Sequence, residues 1–101
     1  MKEKLVRNLI PQVLKDLSIP FTSRVVADDV EFHNLLCKKL DEEVAEFQQS
    51  SEVEELADIF EVILALAQAQ GVSREKFFEI AQKKTEEKGD FSGRIVLKKY
   101  E

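Results

Sequence analysis

The architecture is largely specified by two stretches, KKLDEEVAEFQQ at residues 38–49 and SEVEELADIFEVILALAQA at residues 51–69. Both are rich in residues that favour helix, and both carry acidic residues three positions apart. Residues three apart lie on one face of a helix. A short polar turn near Ser50 and Ser51 separates the two stretches. They therefore predict an antiparallel helical hairpin that carries carboxylates along one face.

Capping residues predict where the hairpin helices begin and end. An acidic cap at Asp28 or Asp29 starts the first helix, which extends to the end of the first stretch. A capping-box pattern at Ser51 and Glu54 is expected to start the second helix. Gly71 is expected to end it.

The flanking segments predict two more helices and an extended tail. A short helix started or interrupted by Pro11 is expected within residues 4–16. Ser73 is expected to cap a further helix over residues 74–88. Residues 91–100 are expected to form a short strand or an extended arm. The expected fold is an all-α antiparallel helical bundle with a short C-terminal extended segment.

Composition predicts one soluble globular domain over residues 1–101. The hydrophobic fraction is 44% and the charged fraction is 35%, which is typical of a soluble globular chain. A single cysteine, Cys37, rules out an intramolecular disulfide. No apolar run is long enough for a secretion signal or a membrane span. We expect a cytoplasmic protein with no membrane partner.

Charge is distributed unevenly along the chain. Residues 25–70 contain twelve acidic residues and two lysines, whereas the segments before and after are net basic. Duplex nucleic acid is disfavoured as a partner because phosphate binding needs a continuous basic face. The same distribution suits a metal site in the middle of the chain, with phosphate-binding groups from its ends.

Four carboxylates are expected to face one another. On a wheel with Leu36 at 0°, Glu43 and Glu46 fall at about -20° and -80°, inside the apolar arc of the first helix. Glu55 lies inside the apolar arc of the second helix, and Asp58 lies at its edge. Glu46 and Glu55 lie the same number of residues from the turn, and so do Glu43 and Asp58. In an antiparallel hairpin, the two members of each pair are expected to lie opposite each other. A solvated acidic face is the commoner arrangement in such helices, but these wheel positions disfavour it.

Inward carboxylates need a counter-charge. At a separation of 5 Å and an effective dielectric of 20, each pair repels by about 3 kcal/mol. The total stability of a small domain is only about 5–15 kcal/mol. Protonation or a bound cation would relieve the repulsion. A site that offers only oxygen ligands favours Mg²⁺, or Mn²⁺, and magnesium commonly completes its shell with substrate phosphates.

The pattern Glu42-Glu43-x-x-Glu46 followed by Glu55-x-x-Asp58 resembles that of the MazG-like, all-alpha nucleotide pyrophosphohydrolases. That superfamily includes phosphoribosyl-ATP pyrophosphohydrolase and the dimeric dUTPases. Residues 4–11, KLVRNLIP, and residues 84–95 resemble the opening and closing segments of its small house-cleaning branch. Asn8 stands where that branch usually has Asp.

The resemblance implies Mg²⁺-dependent hydrolysis of a nucleoside triphosphate, non-standard or damaged, to the monophosphate and pyrophosphate. It implies a metal site formed by Glu43, Glu46, Glu55 and Asp58, with Glu42 and Glu43 as catalytic residues. The candidate substrate-binding residues are basic, apart from one aromatic that could line a base pocket: Lys4, Arg7, Lys39, Lys84, Lys88, Phe91 and Arg94.

Two alternative functions stay open at this point. One is phosphoribosyl-ATP pyrophosphohydrolase activity on the same scaffold. The other is a non-catalytic helical dimerisation module, because residues 56–69 carry only Asp58 and Glu61 as charged residues. A helix that is apolar almost all round is normally covered on every side. We therefore expect a homodimer or a higher homo-oligomer.

Overall fold

Four α-helices and no strand make up the described part of the chain, residues 3–100 of a computed structural model. Residues 94–100 belong to neither a helix nor a strand. The prediction of an all-α fold with a central hairpin and an extended C-terminal segment is confirmed. The helices are α1 (Ile10–Asp16), α2 (Asp29–Ser50), α3 (Val53–Ala69) and α4 (Arg74–Lys88).

Helix α2 begins where the sequence predicts. The Asp28 side chain accepts a hydrogen bond from the backbone N–H of Glu31 at 2.9 Å. This bond satisfies one of the backbone donors that the first helical turn leaves unpaired. The prediction of an acidic cap at this position is confirmed.

The predicted capping box at the start of α3 is wrong. Ser51 adopts a left-handed conformation with φ 56°, and its N–H donates to the carbonyl of Phe47 at 2.7 Å. Ser51 therefore ends α2, and Glu52 is the N-cap of α3 without a capping side chain. The Glu52 N–H instead donates to the Ser50 hydroxyl at 3.2 Å. Only Ser51 and Glu52 connect the two helices.

Helix α4 turns away from α3 at an angle of 108°. Ser73 caps α4 by accepting from the N–H of Lys76 at 3.2 Å, as the sequence predicts. The rings of Phe60 and Phe78 lie 6.0 Å apart and join the two helices. The guanidinium of Arg74 lies 5.9 Å and 5.3 Å from the centroids of these rings. This cation–π arrangement holds the corner between α3 and α4.

The hydrophobic core lies between α2 and α3 and is small. Leu36 and Val62 are the only buried hydrophobic residues within the described range. The radius of gyration is 17.5 Å, whereas a compact chain of this length has about 13 Å. The principal extents of 56, 32 and 27 Å describe an elongated molecule. A large apolar surface is therefore left without cover from its own chain.

The segment before α1 reaches the hairpin, whereas α1 itself packs against no other helix of the described chain. Arg24 anchors this segment near α2, because its guanidinium bonds to Glu3 at 3.0 Å and to Glu31 at 2.7 Å. No single helix among residues 3–100 has the length and apolar composition to cross a membrane, although α3 and α4 together meet that criterion as a bent pair.

Candidate metal centre

Two overlapping groups of carboxylates lie on the hairpin. Glu42, Glu43 and Glu46 form one group along α2, and Glu43, Glu55 and Asp58 form the other between α2 and α3. Within each group, one oxygen of every member lies within 4.8 Å of the others. Glu43 belongs to both groups. The hairpin thus brings five carboxylates together around one residue, and this cluster could hold a metal ion.

Glu43 is the most deeply buried member, with 6% of its surface exposed. Its Oε1 accepts from the Lys39 ammonium at 3.1 Å, whereas its Oε2 has no hydrogen-bond partner among the described residues. Oε2 of Glu55 is buried in the same way. Burial raises the pKa of Glu43, and the opposing effect of Lys39 does not cancel it.

The two unpartnered oxygens test whether these residues suit a metal ion. A buried acceptor without a partner is costly, and native structures rarely leave one. A cation between α2 and α3 could take both residues as ligands, because one carboxylate oxygen of Glu43 lies within 4.8 Å of one of Glu55. All the donors in the cluster are carboxylate oxygens, which suit Mg²⁺ or Mn²⁺ better than softer metals. The carboxylates of this cluster therefore suit the Mg²⁺ or Mn²⁺ ion that the sequence predicts.

Lys39 supplies positive charge inside the cluster. Its side chain is 19% exposed, and its ammonium lies 3.6 Å from Glu42 as well as 3.1 Å from Glu43. Burial alone would lower the pKa of Lys39, but the bond to Glu43 and the surrounding carboxylates outweigh burial and raise that pKa. Lys39 is therefore a permanent cation beside the candidate metal ligands.

The segment before α1 brings one cation to each helix of the hairpin. The Arg7 guanidinium donates to Oδ1 of Asp58 on α3 at 2.8 Å. The Lys4 ammonium lies 3.8 Å from Oε1 of Glu42 on α2. Both residues were predicted to bind substrate, and the structure places both beside the carboxylate cluster.

A cavity of about 340 Å³ lies between this segment and α2. Three of the residues that line it are Lys4, Lys38 and Lys39, and Glu42 stands at its border with the cluster. Sequence analysis missed Lys38, although it lies four residues before Glu42 and thus on the same helical face. A larger groove of about 720 Å³ runs along α4, but it is lined by none of the clustered carboxylates. We regard the cavity beside Glu42 as the one relevant to chemistry.

Glu46 does not lie as the helical wheel predicts. It is exposed, although one of its oxygens stays close to Glu42 and Glu43. A wheel gives the direction of a side chain from its own axis, but not what covers that direction. Within residues 3–100 no neighbouring element covers Glu46, so its predicted inward position is wrong.

The predicted substrate-binding residues of the C-terminal region do not reach the carboxylates of their own chain. Every side chain from residue 78 to residue 100 is exposed, and Phe91 is 98% exposed. Helix α4 contacts α3 but not α2. No ion pair within the described residues joins these side chains to the cluster. The roles of Lys84, Lys88, Phe91 and Arg94 stay predictions.

A comparison with protein families gives one match. A family model described as phosphoribosyl-ATP pyrophosphohydrolase matches residues 3–85. The matched range contains the whole hairpin and both cations of the segment before α1, and it ends at the second residue of the closing segment at residues 84–95. No curated protein and no solved structure matches the chain.

Proposed function

The chain belongs to the phosphoribosyl-ATP pyrophosphohydrolase family, within the MazG-like all-α pyrophosphohydrolases, and from that premise we propose which substrate it cleaves. It is a hydrolase that acts on a phosphoric anhydride of a nucleotide. We propose that the substrate is a nucleoside triphosphate, non-standard or damaged, and that the products are the monophosphate and pyrophosphate. Membership in a family of hydrolases weighs against a non-catalytic dimerisation module.

The observation that carries the proposal is the pair of unpartnered buried oxygens, Oε2 of Glu43 and Oε2 of Glu55. Together with Glu46 and Asp58, these residues would hold Mg²⁺, or Mn²⁺. The ion would neutralise phosphate charge and lower the pKa of a bound water. A buried unpartnered carboxylate oxygen has no evident structural benefit, because it costs folding free energy.

The cavity beside Glu42 suits the phosphate chain of the substrate. Its lining includes three acidic residues, Glu3, Asp41 and Glu42, and three lysines, Lys4, Lys38 and Lys39. Each lysine ammonium carries three donors for phosphate oxygens. These cations would stabilise the negative charge that develops as the anhydride bond breaks. Glu42 lies at the border between the cavity and the cluster, where its carboxylate can accept the proton of the attacking water.

Pyrophosphate release from a panel of standard and modified nucleoside triphosphates tests the proposal. We expect release with Mg²⁺ and none with EDTA, in the wild-type chain and in Glu61→Gln. Glu61 is an exposed residue of α3 outside the cluster, so this variant is matched in chemistry to Glu55→Gln. Loss of activity in Glu55→Gln alone would support the proposed site. Equal activity in both variants would refute it.

Phosphoribosyl-ATP is the second candidate substrate, because the matching family is described by that activity. Against it, the family match ends at residue 85, and the closing segment at residues 84–95 resembles the house-cleaning branch. Including phosphoribosyl-ATP in the same panel decides between the two. A higher kcat/KM for phosphoribosyl-ATP than for every nucleoside triphosphate would replace our proposal with this one.

We also propose that the chain works as a homo-oligomer. Val53, Leu56 and Phe60 of α3 are exposed, as are Phe78 and Ile80 of α4. Exposed apolar surface of this extent is typical of an interaction site. A second copy of the chain would cover it and would supply the core that one copy lacks.

A further inference from the structure

The contact between Arg7 and Asp58 differs from the ion pair between Lys39 and Glu43 in the same group of carboxylates. Arg7 belongs to a segment outside any helix, and it meets an aspartate 51 positions away in the sequence. Its side chain is 55% exposed, and that of Asp58 is 41% exposed. Lys39, by contrast, lies on α2 four residues before its partner Glu43 and is mostly buried. Lys39 stays beside Glu43 because both residues lie on α2 and the lysine side chain is mostly buried. The Arg7 guanidinium, by contrast, can move into solvent by rotation of its own side chain.

The position of the guanidinium conflicts with a cation on the same carboxylate. Arg7 donates to Oδ1 of Asp58, and Asp58 lies within 4.8 Å of the carboxylate oxygens of Glu43 and Glu55. A divalent cation bound among these oxygens would repel a guanidinium at hydrogen-bond distance from one of them. Lys39 and Arg7 are the described cations paired with members of this group, and Arg7, as the more exposed of the two, can leave at the lower cost.

We propose that Arg7 is an exchangeable counter-ion: it neutralises Asp58 until a divalent cation takes that carboxylate, and its guanidinium then turns to the phosphates of the substrate. The inference rests on the proposed function, because it needs the same metal centre. Arg7 thereby serves two ligands in sequence, first a carboxylate and then a phosphate. Guanidinium groups bind both with the same planar arrangement of donors.

Two effects of opposite sign follow for Arg7→Gln. The ion no longer competes with a guanidinium, so Mg²⁺ alone binds about two- to fivefold more tightly, the range expected for an exposed ion pair. Inorganic triphosphate, measured with saturating Mg²⁺, binds roughly tenfold more weakly, because a charged hydrogen bond to phosphate is lost. A purely structural role for Arg7 would weaken both.

Calorimetric titration of the full chain measures both affinities. Arg74→Gln is the matched control, because it removes an arginine that lies on Phe60 and Phe78 and has no ion pair within the described range. We expect this control to bind both ligands like the wild-type chain. Unchanged or weaker Mg²⁺ binding by Arg7→Gln, relative to Arg74→Gln, would overturn the inference.

A second measurement needs no variant that could misfold. In ¹⁵N spectra of wild-type side chains, the Nε–H signal of Arg7 should shift on addition of Mg²⁺. The signal of Arg24, which is held by Glu3 and Glu31, should not shift. An Arg7 signal that stays in place while calorimetry records Mg²⁺ binding would overturn the exchange. Failure of the wild-type chain to bind Mg²⁺ or to release pyrophosphate would overturn the proposed function as well.

Discussion

Burying a carboxylate costs the folded chain free energy, and leaving one of its oxygens without a hydrogen-bond partner adds to that cost. Glu43 is buried, and its Oε2 has no partner among the described residues. Burial raises its pKa, which means that the folded chain resists its negative charge. An unsatisfied buried acceptor costs about 1–3 kcal/mol. Glu43, which carries this cost, is also the residue shared by both carboxylate groups.

Glu43→Gln should separate stability from activity. We expect a melting temperature equal to or above that of the wild-type chain, because a neutral amide of the same size replaces a buried anion. Turnover should fall by more than about 100-fold, the upper end of what partners outside the ligand shell contribute. Thermal melting without added metal and pyrophosphate release with Mg²⁺ are the two measurements. A variant that loses stability and keeps turnover would contradict the predicted role of Glu43.

Arg24 provides a test of pH dependence away from the cluster. Hydrogen bonds from its guanidinium lower the pKa values of Glu3 and Glu31 below their usual 4.5. A carboxylate with a lowered pKa stabilises the fold above its unfolded value, and that contribution is lost as pH falls through the folded value. The melting temperature of Arg24→Gln should thus lie slightly below that of the wild-type chain at pH 7. The difference should shrink below pH 4.5, and a difference that grows in acid would refute this account.

At the residue scale, periodicity predicts the direction of a side chain but not its surroundings. The wheel correctly turned Glu43 towards α3, whereas Glu46, which the wheel also places inside the apolar arc, is exposed. The Arg7–Asp58 bond joins residues 51 positions apart. No local pattern encodes such a contact, and the resemblance named Arg7 only as a phosphate ligand.

At the element scale, capping chemistry predicted three of the helix ends and failed at one. Asp28, Gly71 and Ser73 flank their helices as expected. Ser51 failed because serine can occupy a left-handed C-cap as well as an N-cap, and a two-residue connection has room for only one of these roles. A capping pattern alone does not distinguish the two.

Gly71 at the corner between α3 and α4 allows a test of backbone strain. Its φ is 80°, and a Cβ there would meet nothing within 4 Å, so only the backbone conformation opposes a side chain. Gly71→Ala should lower the free energy of unfolding by roughly 1–2 kcal/mol. Gly93→Ala is the control, because Gly93 does not have a positive φ and its added Cβ would meet only the flexible side chain of Ile95. Equal denaturation midpoints for the two variants would contradict the argument.

At the scale of the whole molecule, the shape is elongated, and only two hydrophobic side chains of residues 3–100 are buried. The almost continuously apolar α3 predicts a covering partner from the sequence, and self-association stays a prediction. The identity of the covering surface could not be predicted, because complementarity between two copies involves residues that are distant in sequence.

A concentration series tests the predicted self-association. If a second copy supplies the missing core, the melting temperature should rise with protein concentration, because dissociation accompanies unfolding. Sedimentation at the same concentrations should give a mass of at least twice 11.6 kDa. Replacing exposed Leu56 by Asp should lower both the mass and the melting temperature. Melting that does not vary with concentration, with a mass of one chain, would refute the homo-oligomer.

The two-residue connection between α2 and α3 constrains how such a hairpin can change length over evolution. Each residue inserted at the start of α3 would rotate Glu55 and Asp58 by about 100° around the helix axis. Insertions or deletions of one or two residues would turn these ligands away from Glu43. Matched insertions of about seven residues in both helices nearly restore the orientation, with a drift of about 20°. Homologues whose hairpin differs in length should therefore differ by multiples of about seven residues, or two helical turns, in each of the two helices.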